Sequence, residues 1–150
     1  KSNFFYGYDV LSKDKQHLLR NAIKLAKERQ EEIVDQGIRL IEKKAIKPIG
    51  CMRYCKIENS NNFQSPMLLC KLALFIMDAY RAQTTKNPKH FVLASYNDKS
   101  NSYTVVGIPS KKYIGDVNKS PFYNAFEEAR KRVNANAKIV FFEGHVIQIH

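Results

Sequence analysis

The 150 residues contain no tryptophan, and only three cysteines, six glycines and five prolines. So little glycine and proline excludes collagen-like and low-complexity chains. Three cysteines, Cys51, Cys55 and Cys70, are too few and of the wrong parity for a small disulfide scaffold. They read as ordinary buried or half-buried thiols. Paired CxxC halves and clustered histidines are missing, so no metal site is expected, and no cofactor. Long apolar runs are missing as well: the longest, Met67–Met77, has eleven residues and contains Lys71. A membrane-spanning helix needs about 20 apolar residues, so the run predicts a buried core helix and no transmembrane segment. The Phe4–Val10 stretch is broken by Gly7 and Asp9 and is no signal peptide. The chain opens on Lys1, which fits a mature form or part of something longer. Its compartment stays open, with a soluble cytoplasmic protein as the default expectation.

Acid is scarce too. Lysine and arginine number 25 against 14 aspartates and glutamates, a formal charge of +11. With 44% hydrophobic and 11% aromatic residues the chain is too apolar for a disordered basic tail. At this length about 68–70% of the unfolded surface is buried on folding, enough for one core. The expectation is a single compact, basic α+β domain over residues 1–150.

Periodicity supplies the elements. Leu19, Ile23, Ala26, Val34, Ile41 and Ala45 recur at helical spacing, with Leu18, Ala22, Leu25 and Ile33 widening the stripe. Ser12 is the candidate cap of this long first helix. Gly37 either breaks it or lets a neighbour approach. Cys51–Glu58 reads as a short strand and Asn59–Gln64 as a polar loop. Ser65-Pro66 opens the apolar central helix. His90–Asn97 and Ser102–Ile108 are rich in β-branched and aromatic residues and flank a turn-type stretch, Asp98–Asn101. Ser120-Pro121 opens a further helix whose stripe is Phe122, Ala125, Phe126, Ala129 and Val133. Lys138–Phe142 and His145–Ile149 flank Glu143-Gly144 as a final hairpin. The prediction is therefore α+β: a helical N-terminal half and a central apolar helix packed on a mainly antiparallel sheet. The C-terminal half reads strand–strand–helix–strand–strand.

The charge is spread over the folded body, with concentrations at Lys86 and Lys89, at Lys111 and Lys112 beside Tyr113, and at Arg130, Lys131 and Arg132. Basic groups beside an aromatic ring can hold phosphates and stack a base. Tyr96, Tyr103 and Phe91 on the strands could add a stacking platform, which favours RNA slightly over DNA. The leading expectation is thus a nucleic-acid-binding domain, RNA before DNA. An acidic protein or another polyanion is the next partner.

No P-loop, GxGxxG, HExxH, EF-hand or GxSxG pattern occurs. A metal-independent ribonuclease would need less: a base, an acid and a cation, roles that histidine and lysine fill. His145, after the Glu143-Gly144 turn, and His90, opening a strand, are the candidate catalytic pair, with Lys111 or Lys112 as the cation. In size and charge such a nuclease would be similar to the small nuclease domains that end some bacterial toxins. A third expectation is a protein-interaction module using the amphipathic N-terminal helical region, with Leu18, Leu19, Ile23, Val34 and Ile41 meeting a partner.

Overall fold

The computed structural model describes residues 15–58, 62–83, 89–110, 121–133, 136–139 and 146–149. The candidate cap Ser12, the Glu143-Gly144 turn and residues Lys86, Lys111, Lys112, Tyr113 and His145 lie outside them.

The first helix, α1, runs unbroken from Gln16 to Glu42. At 1.5 Å per residue its 27 residues span about 40 Å. Gly37 does not break it. A Cβ there would sit 2.5 Å from the ring of Phe75, so the glycine exists for close approach. The helix ends where Lys44 turns left-handed at φ 51, letting the Ala45 N–H reach back to the Leu40 carbonyl.

Strands β1 (Lys47–Ile49) and β2 (Met52–Ile57) form a hairpin. Gly50, at φ 54, makes the left-handed bend between them. Pro48 pairs with Arg53. Proline has no N–H, so this is the pair whose backbone groups face away from each other, and the outer edge of β1 lacks a donor there. A 3-10 turn, Asn62–Gln64, then buries Phe63, an apolar anchor inside the segment expected to be a polar loop.

Helix α2 (Pro66–Gln83) begins at the expected proline and buries Leu69, Leu72, Ala73, Ile76 and Met77. It lies on strands β3 (His90–Asn97) and β4 (Ser102–Ile108), and α1 packs on its far side. Chain reversal between β3 and β4 uses Asn101 at φ 47, a conformation asparagine tolerates. Helix α3 (Pro121–Val133) and strands β5 (Ala137–Ile139) and β6 (Val146–Ile149) complete the fold.

The six-stranded sheet has the order β1-β2-β3-β4-β6-β5. Every neighbouring pair is antiparallel except β2 and β3, which run parallel across the α2 crossover. This is the α+β architecture expected, with one parallel pair added. Alternation along the strands sorts two faces. Cys55, Ile57, Phe91, Leu93, Val106, Ile108 and Val146 join the α2 side chains in one core. Gly107 points the other way and receives the ring of Phe122, too close for any Cβ. Helix α3 therefore lies on the second face of the sheet. Its expected stripe is only half realised: Phe122 is buried and Phe126 half-buried, while Ala125, Ala129 and Val133 are exposed.

Candidate interaction surface

Helix α1 outruns its own support. Gly37 lies opposite Phe75, and α2 has eight residues after that point and nine before it. Whichever way α2 runs alongside, it can flank α1 no further forward than about residue 28. Exposure agrees: every residue from Leu19 to Glu31 is exposed, whereas Ile33, Gly37 and Leu40 are buried. Leu19, Ile23 and Leu25 are 41%, 48% and 57% accessible. Large apolar side chains so open and so close together form an exposed apolar patch.

At 100° per residue, Leu19, Ile23 and Ala26 continue the line of Ile33, Gly37 and Leu40. Leu18, Ala22 and Leu25 widen the apolar arc to about half the circumference. Arg20 and Lys27 lie beyond one edge of it, and Lys24 is on the opposite face of the helix. Glu28 meets Lys24 at 4.0 Å, and Arg29 is bound to Glu32 at 2.7 Å. Behind the basic edge an open recess of about 300 Å³ is lined by Lys27, Gln30, Glu31, Val34 and Asp35. Its mixed charge makes no anion site.

The sites read from the sequence resolve differently. Half-buried His90 accepts a hydrogen bond at Nδ1 from the Ser110 N–H, 3.1 Å away, and meets the Phe122 ring edge-on at 5.9 Å. Arg81 holds the same segment from the other side, donating to the Pro109 and Ser110 carbonyls at 2.9 and 3.4 Å. His90 thus clamps the segment where β4 ends. Lys89 donates to the Gly50 carbonyl at 2.9 Å and secures the β1–β2 bend. Arg130 and Arg132 pair with Glu127 and Glu128 on their own helix, leaving exposed Lys131 as the third base of that cluster.

The stacking platform is also used internally. Phe91 is 1% exposed on the core face. Tyr96 and Tyr103 share the second face but tilt against each other at 4.8 Å, and the Tyr96 phenol donates to Asn101 at 2.8 Å. The Lys56 ammonium lies 5.1 Å from the Tyr103 ring centre and 3.0 Å from Glu58. A hydrogen bond to Tyr103, then Glu58, holds its pKa above the usual lysine value. Among the thiols, Cys55 is buried and Cys70 half-buried as expected, but Cys51 is exposed. Among the described residues no group of three or more His, Cys, Asp or Glu could hold a metal, and no helix is long and apolar enough to cross a membrane.

Fold and surface together define an α+β body with helices on both faces of a mixed sheet and one amphipathic helix projecting from it. The CDC45 family model matches residues 1–150 in full, and the chain belongs to that family. It is 30% identical over 146 residues to the cell division control protein 45 homolog of Dictyostelium discoideum, covering 95% of this chain and 22% of that protein. With cell division control protein 45 of Saccharomyces cerevisiae it shares 28% identity over 158 aligned positions, 99% of this chain and 24% of the relative. The crystal structure of CDC45 from Entamoeba histolytica superposes with a TM-score of 0.60 at 20% identity, over 82% of this chain and 25% of that one. That likeness speaks for the fold. The chain spans about a quarter of the length of these relatives.

Family membership overturns the RNA-directed reading and the ribonuclease alternative, because the relatives are cell division control proteins. The physical reason the sequence misled is visible above. Among the described residues that suggested RNA, Phe91 is buried, Tyr96 and Tyr103 rest on each other, and Lys89, Arg130 and Arg132 are held by oxygens of the protein itself.

Proposed function

We propose that this chain is a protein-docking region of a CDC45-type DNA replication factor. The observation that carries the reading is the front of α1, where Leu19, Ile23 and Leu25 are exposed on an apolar arc that continues a packed interface. Most helix stability in proteins comes from packing of an amphipathic face, so the apolar arc is best explained by a surface it packs on. DNA and the other proteins of the replication machinery are the partners this reading implies, and a nuclear location replaces the cytoplasmic expectation. Residues 1–150 then act as one folded body within the larger polypeptide.

The test is Leu19→Asp with Ile23→Asp in the family-length protein. Recovery of the variant with the replication machinery on chromatin should fall by about tenfold or more, since burying one aliphatic side chain at an interface is worth roughly that factor. The circular dichroism of the purified protein should be preserved. Recovery equal to wild type would overturn the reading.

A further inference from the structure

We infer that the bend of the β1–β2 hairpin is a docking element in its own right, and that its occupant is another protein presenting an apolar pocket rimmed by carboxylates. The bend follows the C-terminal end of α1, whereas Leu19, Ile23 and Leu25 lie near the N-terminal end, so this surface is separate from the one described above. Three observations carry it.

The first is composition. A bend that serves only to reverse the chain is built from Asn, Asp, Ser or Gly. Here Gly50 is followed by Cys51 and the two are flanked by Ile49 and Met52, and every residue from Pro48 to Met52 is exposed. Ile49 and Met52 are 54% and 38% accessible and pair with each other across the hairpin. Because Cys55 and Ile57 are in the core, alternation puts Met52 and its partner Ile49 on the second face of the sheet. Directly opposed side chains have Cβ atoms about 4.5–5.5 Å apart, so the two form one apolar patch. Helix α3 covers the same face at Gly107 and His90 but leaves this pair open to solvent.

The second is rigidity. Both carbonyls of the bend are tied to the entry of β3: Lys89 Nζ donates to Gly50 at 2.9 Å, and the His90 N–H donates to Cys51 at 3.3 Å. From the core side the Arg53 guanidinium lies 4.4 Å from the centre of the Tyr80 ring and holds β2 down. An apolar tip already fixed in one shape has little conformational freedom left to lose on binding.

The third is charge. From Lys43 to Ile57 the sequence has five bases and no acid. Two of the five are engaged, Arg53 on Tyr80 and Lys56 with Glu58. The other three, Lys43, Lys44 and Lys47, are exposed and make no ion pair among the described residues. Lys47 shares the face of Ile49, two residues before it. Open cations beside an apolar pair complement a pocket with carboxylates at its rim. Phosphates would satisfy the lysines but leave Ile49 and Met52 in water, which favours a protein over a nucleic acid.

Maleimide labelling of Cys51 in the family-length protein, read by peptide mass spectrometry, tests this. In the purified protein free of partners Cys51 should react as an exposed thiol. Within the replication assembly recovered from chromatin it should react more slowly by about tenfold or more. Ile49→Asp with Met52→Asp should abolish that protection. Lys47→Glu should reduce it about two- to fivefold at low salt and little at high salt. The circular dichroism of both variants should match wild type, because all three positions are exposed. Slow labelling in the free protein overturns the proposal, since the polypeptide then covers its own bend. Equal rates in the free and assembled protein overturn it as well. Protection by single-stranded or duplex DNA alone assigns the tip to nucleic acid and overturns the protein occupant. A Lys47→Glu variant protected like wild type overturns the acidic rim.

Discussion

Gly37 of α1 and Phe75 of α2 meet backbone to ring, with room for a hydrogen and none for a methyl group. The contact sets how near the outer helix comes to the inner one. It also fixes the point beyond which α1 continues unsupported.

Gly37→Ala should therefore destabilise the fold, although alanine is the better helix former by about 1 kcal/mol. The ring has to move or the helices separate, an overpacking cost of about 1–3 kcal/mol. Chemical denaturation should show a net loss, and Gly37→Val a larger one. A gain in stability for Gly37→Ala would mean that Phe75 swings aside freely.

On the opposite face Gly107 plays the same part for Phe122. Gly107→Ala should lift α3 off the sheet while leaving the α1–α2 core in place. Faster amide exchange in 121–133 with little change in 69–77 is the expected pattern. Equal loosening of both segments would show that the two faces do not come apart separately.

His90→Ala removes the acceptor of the Ser110 N–H and the ring beneath Phe122. The expected cost is about 0.5–1.5 kcal/mol of stability, the net worth of a hydrogen bond between half-buried groups. His90→Asn restores an acceptor without restoring the ring, so a partial recovery in thermal denaturation would apportion the two roles.

Burial pushes the Cys55 thiol up to about 11 from 9.0. The folded state thus holds this proton more tightly than the unfolded chain. The resulting stability is fully present below pH 9 and is lost as pH rises from there towards 11. With a thiol reagent at pH 8, exposed Cys51 should react first and Cys55 only on unfolding. Prompt labelling of Cys55 in the folded protein would contradict its burial.

Much of the fold was legible locally. The Ser65-Pro66 entry, the apolar α2 and the β3–β4 pair carry their signals within a few residues. Strand β1 was not legible, because three residues, one of them Pro48, are too short to display a period of two. The parallel β2–β3 pairing joins segments separated by the whole of α2, and no local pattern encodes it. The interaction surface was half legible. The stripe from Leu19 to Ile41 announces an amphipathic helix, but leucine and isoleucine look alike whether a neighbour covers them or not. Only the extent of α2 separates the packed half of α1 from the open half. The role of His90 was hidden for the same reason, since its partner Ser110 lies twenty residues downstream.

The pairing of Pro48 with Arg53 bears on how this body can be joined to others. Where a neighbouring chain would add a seventh strand beyond β1, it finds a carbonyl with no matching N–H. A strand pairing there would miss one of its backbone hydrogen bonds, which disfavours extension of the sheet beyond β1.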